Sequence, residues 1–202
     1  MNALLSDLFQ QHVELADSRV LLRPFQAEDY EGFAQIAFDF DIWEKTTPHI
    51  RTEEDLLQYG QNQLKAREQH SKYPFTIIEQ SSGRIAGSSS YMSISPENNR
   101  LEIGSTWLGK DFHGTGLNRH CKFLLFRYAF ETLAVRRLEL KTDVLNLRSR
   151  KAIMKMGARE DGVLRSHQVM PGGRVRDTVY YSIVDREWPE VKERVFGDLT
   201  GY

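Results

Sequence analysis

The sequence predicts an α+β fold: a mixed central sheet, an antiparallel meander followed by one parallel βαβ crossover, flanked by helices. Three observations carry this. Two short turns, at 81–84 and 95–99, separate three strand-like runs, and connections this short join antiparallel neighbours. A glycine-bearing loop then feeds a long amphipathic helix and another strand, the length of a right-handed crossover. The 202 residues, 40% apolar and 27% charged, match ordinary globular usage and the size of one domain.

The elements follow from local pattern. Over 18–25, Val20 and Leu22 alternate with Leu21 and Arg23 in a strand that Pro24 closes. Over 27–39, Tyr30, Phe33, Ala34 and Ala37 recur at i, i+3, i+4 and i+7, which predicts a helix. Thr52 with Asp55 approximates a capping box opening a second helix, with Leu56, Tyr59 and Leu64 on its buried side. Strands follow over 75–79, 85–94 and 100–108. From 117 to 133 a long helix carries an apolar stripe of Leu117, Cys121, Leu124, Leu125, Tyr128 and Ala129. A strand over 137–142 and a helix over 148–156 come next, with Gly157 suited to the position after the helix. A hairpin of 163–170 and 175–184 turns at Pro171-Gly172-Gly173, and a short helix over 187–196 ends the pattern. No repeat, linker or low-complexity tract divides the chain, so one domain over 1–202 is expected, with its core at about 18–188.

Composition excludes several classes. The one cysteine, Cys121, rules out an intramolecular disulfide and a multi-cysteine zinc site, and its place on the apolar stripe marks a buried thiol. His49, His113, His120 and His167 lack metal-ligand spacing, so no metal is expected. Twenty-seven Lys and Arg against 28 Asp and Glu offer no general nucleic-acid or membrane surface. The first nineteen residues lack the plan of a signal peptide, and the greasiest run, 123–130, is broken by Arg127. A cytoplasmic protein is expected, monomer or homodimer.

The chemistry concentrates at 101–116. A glycine loop entering a helix leaves backbone N–H groups unpaired and pointing one way, and with the helix dipole they form an anion site suited to a pyrophosphate. Gly114 and Gly116 let the backbone adopt positive φ and come close to a ligand. A dinucleotide fingerprint would need a third glycine where Arg119 stands, and no Gly-Lys-Ser/Thr triplet follows Gly114.

A third reading fits better. The run Glu102-Ile103-Gly104, Trp107-Leu108, Gly114-Thr115-Gly116, Leu124-Leu125 and Ala129-Phe130 resembles the acyl-CoA core of the GNAT N-acetyltransferase superfamily, RimJ/RimL-like branch. The later Asn146-Leu147-Arg148-Ser149, Gly157-Ala158 and Asp161-Gly162-Val163-Leu164-Arg165 keep the order of that family's next block, as do Arg23-Pro24 at the start and 177–182 near the end. Asp111 departs from the usual Gln or Arg of the loop, and Asn118 from a small residue. Ser105-Thr106 in place of one residue hints at a bulge.

The resemblance implies an acyltransferase that moves an acetyl group from acetyl-CoA, its co-substrate, directly to a primary amine, a protein N-terminus or a small molecule. It places the pyrophosphate on the N–H groups of His113, Gly114, Thr115, Gly116, Leu117 and Asn118. It sets the pantetheine against the backbone of Thr106, Trp107 and Leu108, in a cleft where the two parallel strands splay after Leu108 and near Thr142. Asn146 would bind the pantetheine amide. The amine must lose a proton, for which Glu102 is the base candidate through a water; its other reading is a solvent-facing strand acid paired with Arg100. Ser149 is the donor candidate to the leaving thiolate, or a plain helix-start residue bonded to Asn146. A backbone N–H near Trp107 or Leu108 would meet the oxyanion. Arg148, Arg150 and Lys151 could meet the 3′-phosphate or be a solvated helix start. Trp43, Phe25 and Tyr91 could line the acceptor pocket or the core, and residues 38–64 should shape that pocket. Two other functions remain open on the sequence: a catalytically weak or inactive acyl-CoA-binding module, and a nucleotide-binding regulator.

Overall fold

The computed structural model describes residues 1–43 and 49–200. The Asn2 side chain accepts from the Leu5 N–H and caps α1 (Ala3–Ser6), which lays Leu5 into the core, and the 3₁₀ turn after it, Asp7–Gln10, adds Leu8. Strands β1 (Leu15–Ala16) and β2 (Val20–Pro24) follow. In β2 Val20 and Leu22 face inward, while Arg23 forms an ion pair with Asp29, which also accepts from Thr76 Oγ1 at 2.5 Å. Arg23 therefore anchors the first turn to the sheet.

The expected helix over 27–39 is broken in two. A 3₁₀ turn leads into α2 (Tyr30–Ala34), and α3 (Phe40–Trp43) is separate. The stop is physical: the Ile36 and Ala37 N–H groups both turn back to the Phe33 carbonyl, and the Trp43 indole takes the Ala37 carbonyl at 2.6 Å. Helix α4 (Glu53–Glu68) begins with the capping box read from the sequence, Thr52 and Asp55 bonding reciprocally, and buries Leu56 and Tyr59.

Strands β3 (Lys72–Glu79), β4 (Ile85–Ser95) and β5 (Arg100–Leu108) form the meander. Helix α5 (Leu117–Arg127) is shorter than expected, because 128–132 widen into a π turn. Strand β6 (Arg137–Asp143) pairs parallel to β5, completing the crossover. Helix α6 (Leu147–Lys155) reaches Gly157 at φ +90°. Strands β7 (Arg159–Val169) and β8 (Val175–Val184) close the sheet, and α7 (Trp188–Phe196) packs Trp188 and Phe196 onto Phe126 of α5.

The eight strands run in the order β1-β2-β3-β4-β5-β6-β8-β7, and among the described residues only β5 and β6 are parallel neighbours. A second aromatic group, Phe25, Phe33, Tyr59, Trp43 and Trp107, ties α2, α3 and α4 to β5. No described helix is long and apolar enough to cross a membrane.

Candidate active site

The decisive feature of the sheet is where it comes apart. Strands β5 and β6 pair over three positions, Arg100, Leu101 and Glu102 with Arg137, Leu138 and Glu139. Beyond them 103–108 and 140–143 diverge, six residues earlier on β5 than the sequence suggested. The edge of β5 facing the gap is left without a strand partner. A bulge contributes. From Ser88 to Ser90 β4 advances two residues while β5 goes from Trp107 to Gly104, three, with Ser105 at φ +49°. This is the bulge that Ser105-Thr106 suggested.

The gap opens a cleft of about 590 Å³. Its walls hold Glu102, Thr106, Trp107, Leu108, His113, Gly114, Gly116, Asn118, Asn146 and Ser149, so ten of the twelve site residues expected from the sequence share one cavity; Thr115 and Leu117 lie in the adjoining loop and helix start.

At one end stands the start of α5. Gly114 and Gly116 have φ +76° and +88°, and a Cβ on Gly114 would meet no protein atom within 4 Å. The expected row of amides is narrower than six. The His113 N–H goes to the Lys110 carbonyl, and that of Leu117 to the Thr115 hydroxyl at 3.3 Å. The amides of Gly114, Thr115, Gly116 and Asn118 take no partner among the described residues, and Asn118 Oδ1 is buried and unbonded. Four free amides at a helix N-terminus fit a pyrophosphate. The acid at Asp111 does not oppose this, since Arg84 pairs with it at 3.1 Å. The His113 ring donates from Nε2 to the Leu108 carbonyl at 3.0 Å, fixing the loop to the end of β5.

Glu102 lies mid-cleft. It is 2% exposed, not solvent-facing, and its partner is not Arg100, which bonds Glu139 at 2.9 Å. Both bonds to Glu102 fall on Oε2, from Lys141 Nζ at 2.9 Å and Ser93 Oγ at 3.1 Å. Oε1 accepts none. A Cβ on residue 104 would stand 2.9 Å from that oxygen and 2.7 Å from Met92 Sδ, so Gly104 keeps space open beside the carboxylate.

At the other wall Asn146 caps α6, its Oδ1 accepting from the Ser149 N–H at 3.0 Å, which leaves its NH₂ and the Ser149 hydroxyl without described partners. Of the basic turn, Arg148 lines the cleft. Arg150 is committed to Tyr181 Oη at 3.0 Å and to Glu160.

Trp43 lines the cleft, whereas Phe25 and Tyr91 belong to the core, the Tyr91 hydroxyl donating to the Leu125 carbonyl. Within 38–64, Ile42, Trp43 and Tyr59 reach the cavity; 44–48 lie outside the described residues. Cys121 is fully buried, and burial pushes its thiol up to about 12, so it is no nucleophile. His120 pairs with Asp17 at 2.7 Å, and no described group of three or more His, Cys, Asp or Glu could hold a metal.

Three cations in the cleft escaped the sequence reading. Lys141 holds Glu102. Lys122 is buried against the bulge, donating to Thr106 Oγ1 at 2.6 Å and Ser89 Oγ at 3.2 Å, and burial pulls its ammonium down to about 8. Arg176 of β8 lines the far wall. The one signal for Lys122 was a charge among the apolar positions of α5.

Comparison with known proteins places the chain among acetyltransferases. Residues 19–159 match the Acetyltransferase (GNAT) domain. The chain is 28% identical over 178 residues to the uncharacterized N-acetyltransferase p20 of Bacillus licheniformis, covering 86% of this chain and 97% of that one. It is 34% identical over 106 residues to YdaF of Bacillus subtilis (strain 168), provisionally named a ribosomal N-acetyltransferase, covering 52% of this chain and 57% of the relative. The crystal structure of a GCN5-related N-acetyltransferase from Brucella melitensis superposes with a TM-score of 0.87 at 26% identity, over 95% of this chain and 87% of that one. With the family's model matched over 19–159, the chain belongs to the GNAT acetyltransferase family and is an acetyl-transferring enzyme.

Proposed function

We propose that this enzyme moves the acetyl group of acetyl-CoA directly to a primary amine, either a protein N-terminus or a small molecule. One observation carries the reading: a carboxylate oxygen that no described residue bonds, Glu102 Oε1, stands in the same cleft as the free amides of the α5 loop. When bound, acetyl-CoA supplies the activated thioester. The amides of Gly114, Thr115, Gly116 and Asn118 hold its pyrophosphate, with His113 and Leu117 shaping the loop. The unpaired edge at Thr106, Trp107 and Leu108 and the Asn146 NH₂ hold the pantetheine. Glu102 takes the amine proton through a water, while Lys141 and Ser93 fix the carboxylate from its other oxygen. A β5 backbone N–H near Trp107 or Leu108 meets the oxyanion, and the Ser149 hydroxyl donates to the leaving sulfur.

The name of the YdaF relative speaks for an acceptor on the ribosome, and the cytoplasm is where such acceptors are made. The test is acetyl-CoA turnover over a panel of N-terminal peptides and small amines, read as free thiol released and as acetylated amine by mass. Tight CoA binding with no transfer to any amine would leave a binding module in place of the transfer reading.

A further inference from the structure

We propose that Arg176 is the anion-recognising residue of the acceptor subsite, so that the amine acceptor carries a carboxylate or similar anion near its amine. This rests on the transfer reading above. Arg176 is 8% exposed and lines the cleft with Gln168 and Glu102. Its Nε is buried without a partner, and the guanidinium makes no hydrogen bond or ion pair with any described residue.

The surrounding charges are already matched. Glu102 is held by Lys141 and Ser93, and Asp143 by Arg174 and the Leu145 N–H. One positive charge is therefore left over at this wall. Hydrogen-bonded partners raise the proton affinity of Arg119 and Arg137, whereas at Arg176 burial dominates and lowers it, although the Asp143 and Glu102 carboxylates act the other way from a distance. A buried guanidinium with no direct ion pair is costly, and its planar fork of five donors matches a carboxylate in two bonds. The cofactor's pyrophosphate is assigned to the α5 loop and Arg148 stands ready for the 3′-phosphate, while Arg176 stands on β8, on the other side of β6 from β5. The group that completes Arg176 therefore arrives with the acceptor.

Matched acceptor pairs test this: Ala-Glu-Gly-amide against Ala-Gln-Gly-amide, and β-alanine against β-alaninamide. A charged hydrogen bond at a buried site predicts roughly ten- to a hundredfold higher kcat/KM for the acidic member, carried by KM. The pair that shows it tells a peptide acceptor from a small one. Arg176→Gln should erase the preference and Arg176→Lys retain part of it, with CoA affinity unchanged in both. Calorimetry of the corresponding N-acetylated products on the CoA-loaded protein reads the same preference without turnover.

Equal treatment of both members by the intact protein, or a preference that survives Arg176→Gln, overturns the proposal. So does a loss of CoA affinity in that variant. Arg176→Met should melt no lower than the parent, because it removes an unpaired buried charge; a clear fall would make Arg176 a structural strut instead. Transfer without acid preference sinks this inference alone. Acid-selective product binding without transfer to any amine sinks the transfer reading alone.

Discussion

Replacing Glu102 by Gln separates chemistry from architecture. The substitution keeps size and leaves an oxygen for the Ser93 hydroxyl, but removes the charge that faces Lys141 and the basic oxygen that faces the cleft. Loss of one partner from a fully buried pair costs about 3–5 kcal/mol. Lys141 is 27% exposed and can turn toward water, so the expected loss here is about 1–3 kcal/mol, read as a shift of the urea midpoint. Turnover should fall by about 10²–10⁴ near neutral pH with acetyl-CoA affinity nearly unchanged. The rising limb of the pH–rate profile should move upward, since the amine must then lose its proton unaided. The double variant Glu102→Gln/Lys141→Met removes the stranded ammonium and should return to within about 1 kcal/mol of the parent while staying slow. Recovery of turnover together with stability would show that Glu102 acts only through the fold. Parental turnover in the single variant would refute the base outright.

Three other outcomes are expected. Lys122 is held near 8 in the folded protein against an ordinary 10.5, so the unfolded chain binds more protons between those values, and stability should rise with pH across that window. The rise should be roughly 3 kcal/mol for this one group. Lys72 shifts in the same direction, so the difference between parent and Lys122→Met, by urea midpoints at pH 7 and pH 10, isolates Lys122; identical slopes would contradict its burial as an ammonium. Asn146→Asp keeps the acceptor that caps α6 but loses the NH₂ donor, so the KM for acetyl-CoA should rise by up to roughly tenfold while melting holds, whereas Asn146→Ala should also lose about 1 kcal/mol of stability. Gly114→Val and Gly116→Val, forced to positive φ, should lower CoA affinity in calorimetry by tenfold or more while far-UV circular dichroism stays parental; unchanged affinity in both would remove the loop from the phosphate site.

The strand meander, the Thr52–Asp55 cap and the glycine loop were legible because each is written in neighbouring residues. The break in the 27–39 helix was not, since it depends on the Trp43 indole claiming the Ala37 carbonyl, a contact no periodicity encodes. The resemblance placed the parting of β5 and β6 after Leu108, and nothing in the residues could correct it: alternation tells which face a residue takes, not how long two strands stay paired. Glu102 stood out by motif, but its orientation came from Lys141 and Ser93 on two other strands. Lys122 and Arg176 were invisible as site residues because a lone cation means little until its neighbours are known to be hydroxyls or already satisfied acids.

The short ladder between β5 and β6 has a kinetic consequence. Three residue pairs join the β1–β5 part of the sheet to the β6–β8–β7 part, and the cleft walls, Trp43 and Tyr59 on one side and Arg176 on the other, belong to different parts. A pantetheine arm, with amides of its own, laid along the open edge of β5 would act as a surrogate strand and fix the spacing of those walls. The acceptor pocket would then reach its final width only after the cofactor has bound, which makes the order of binding compulsory, cofactor before amine.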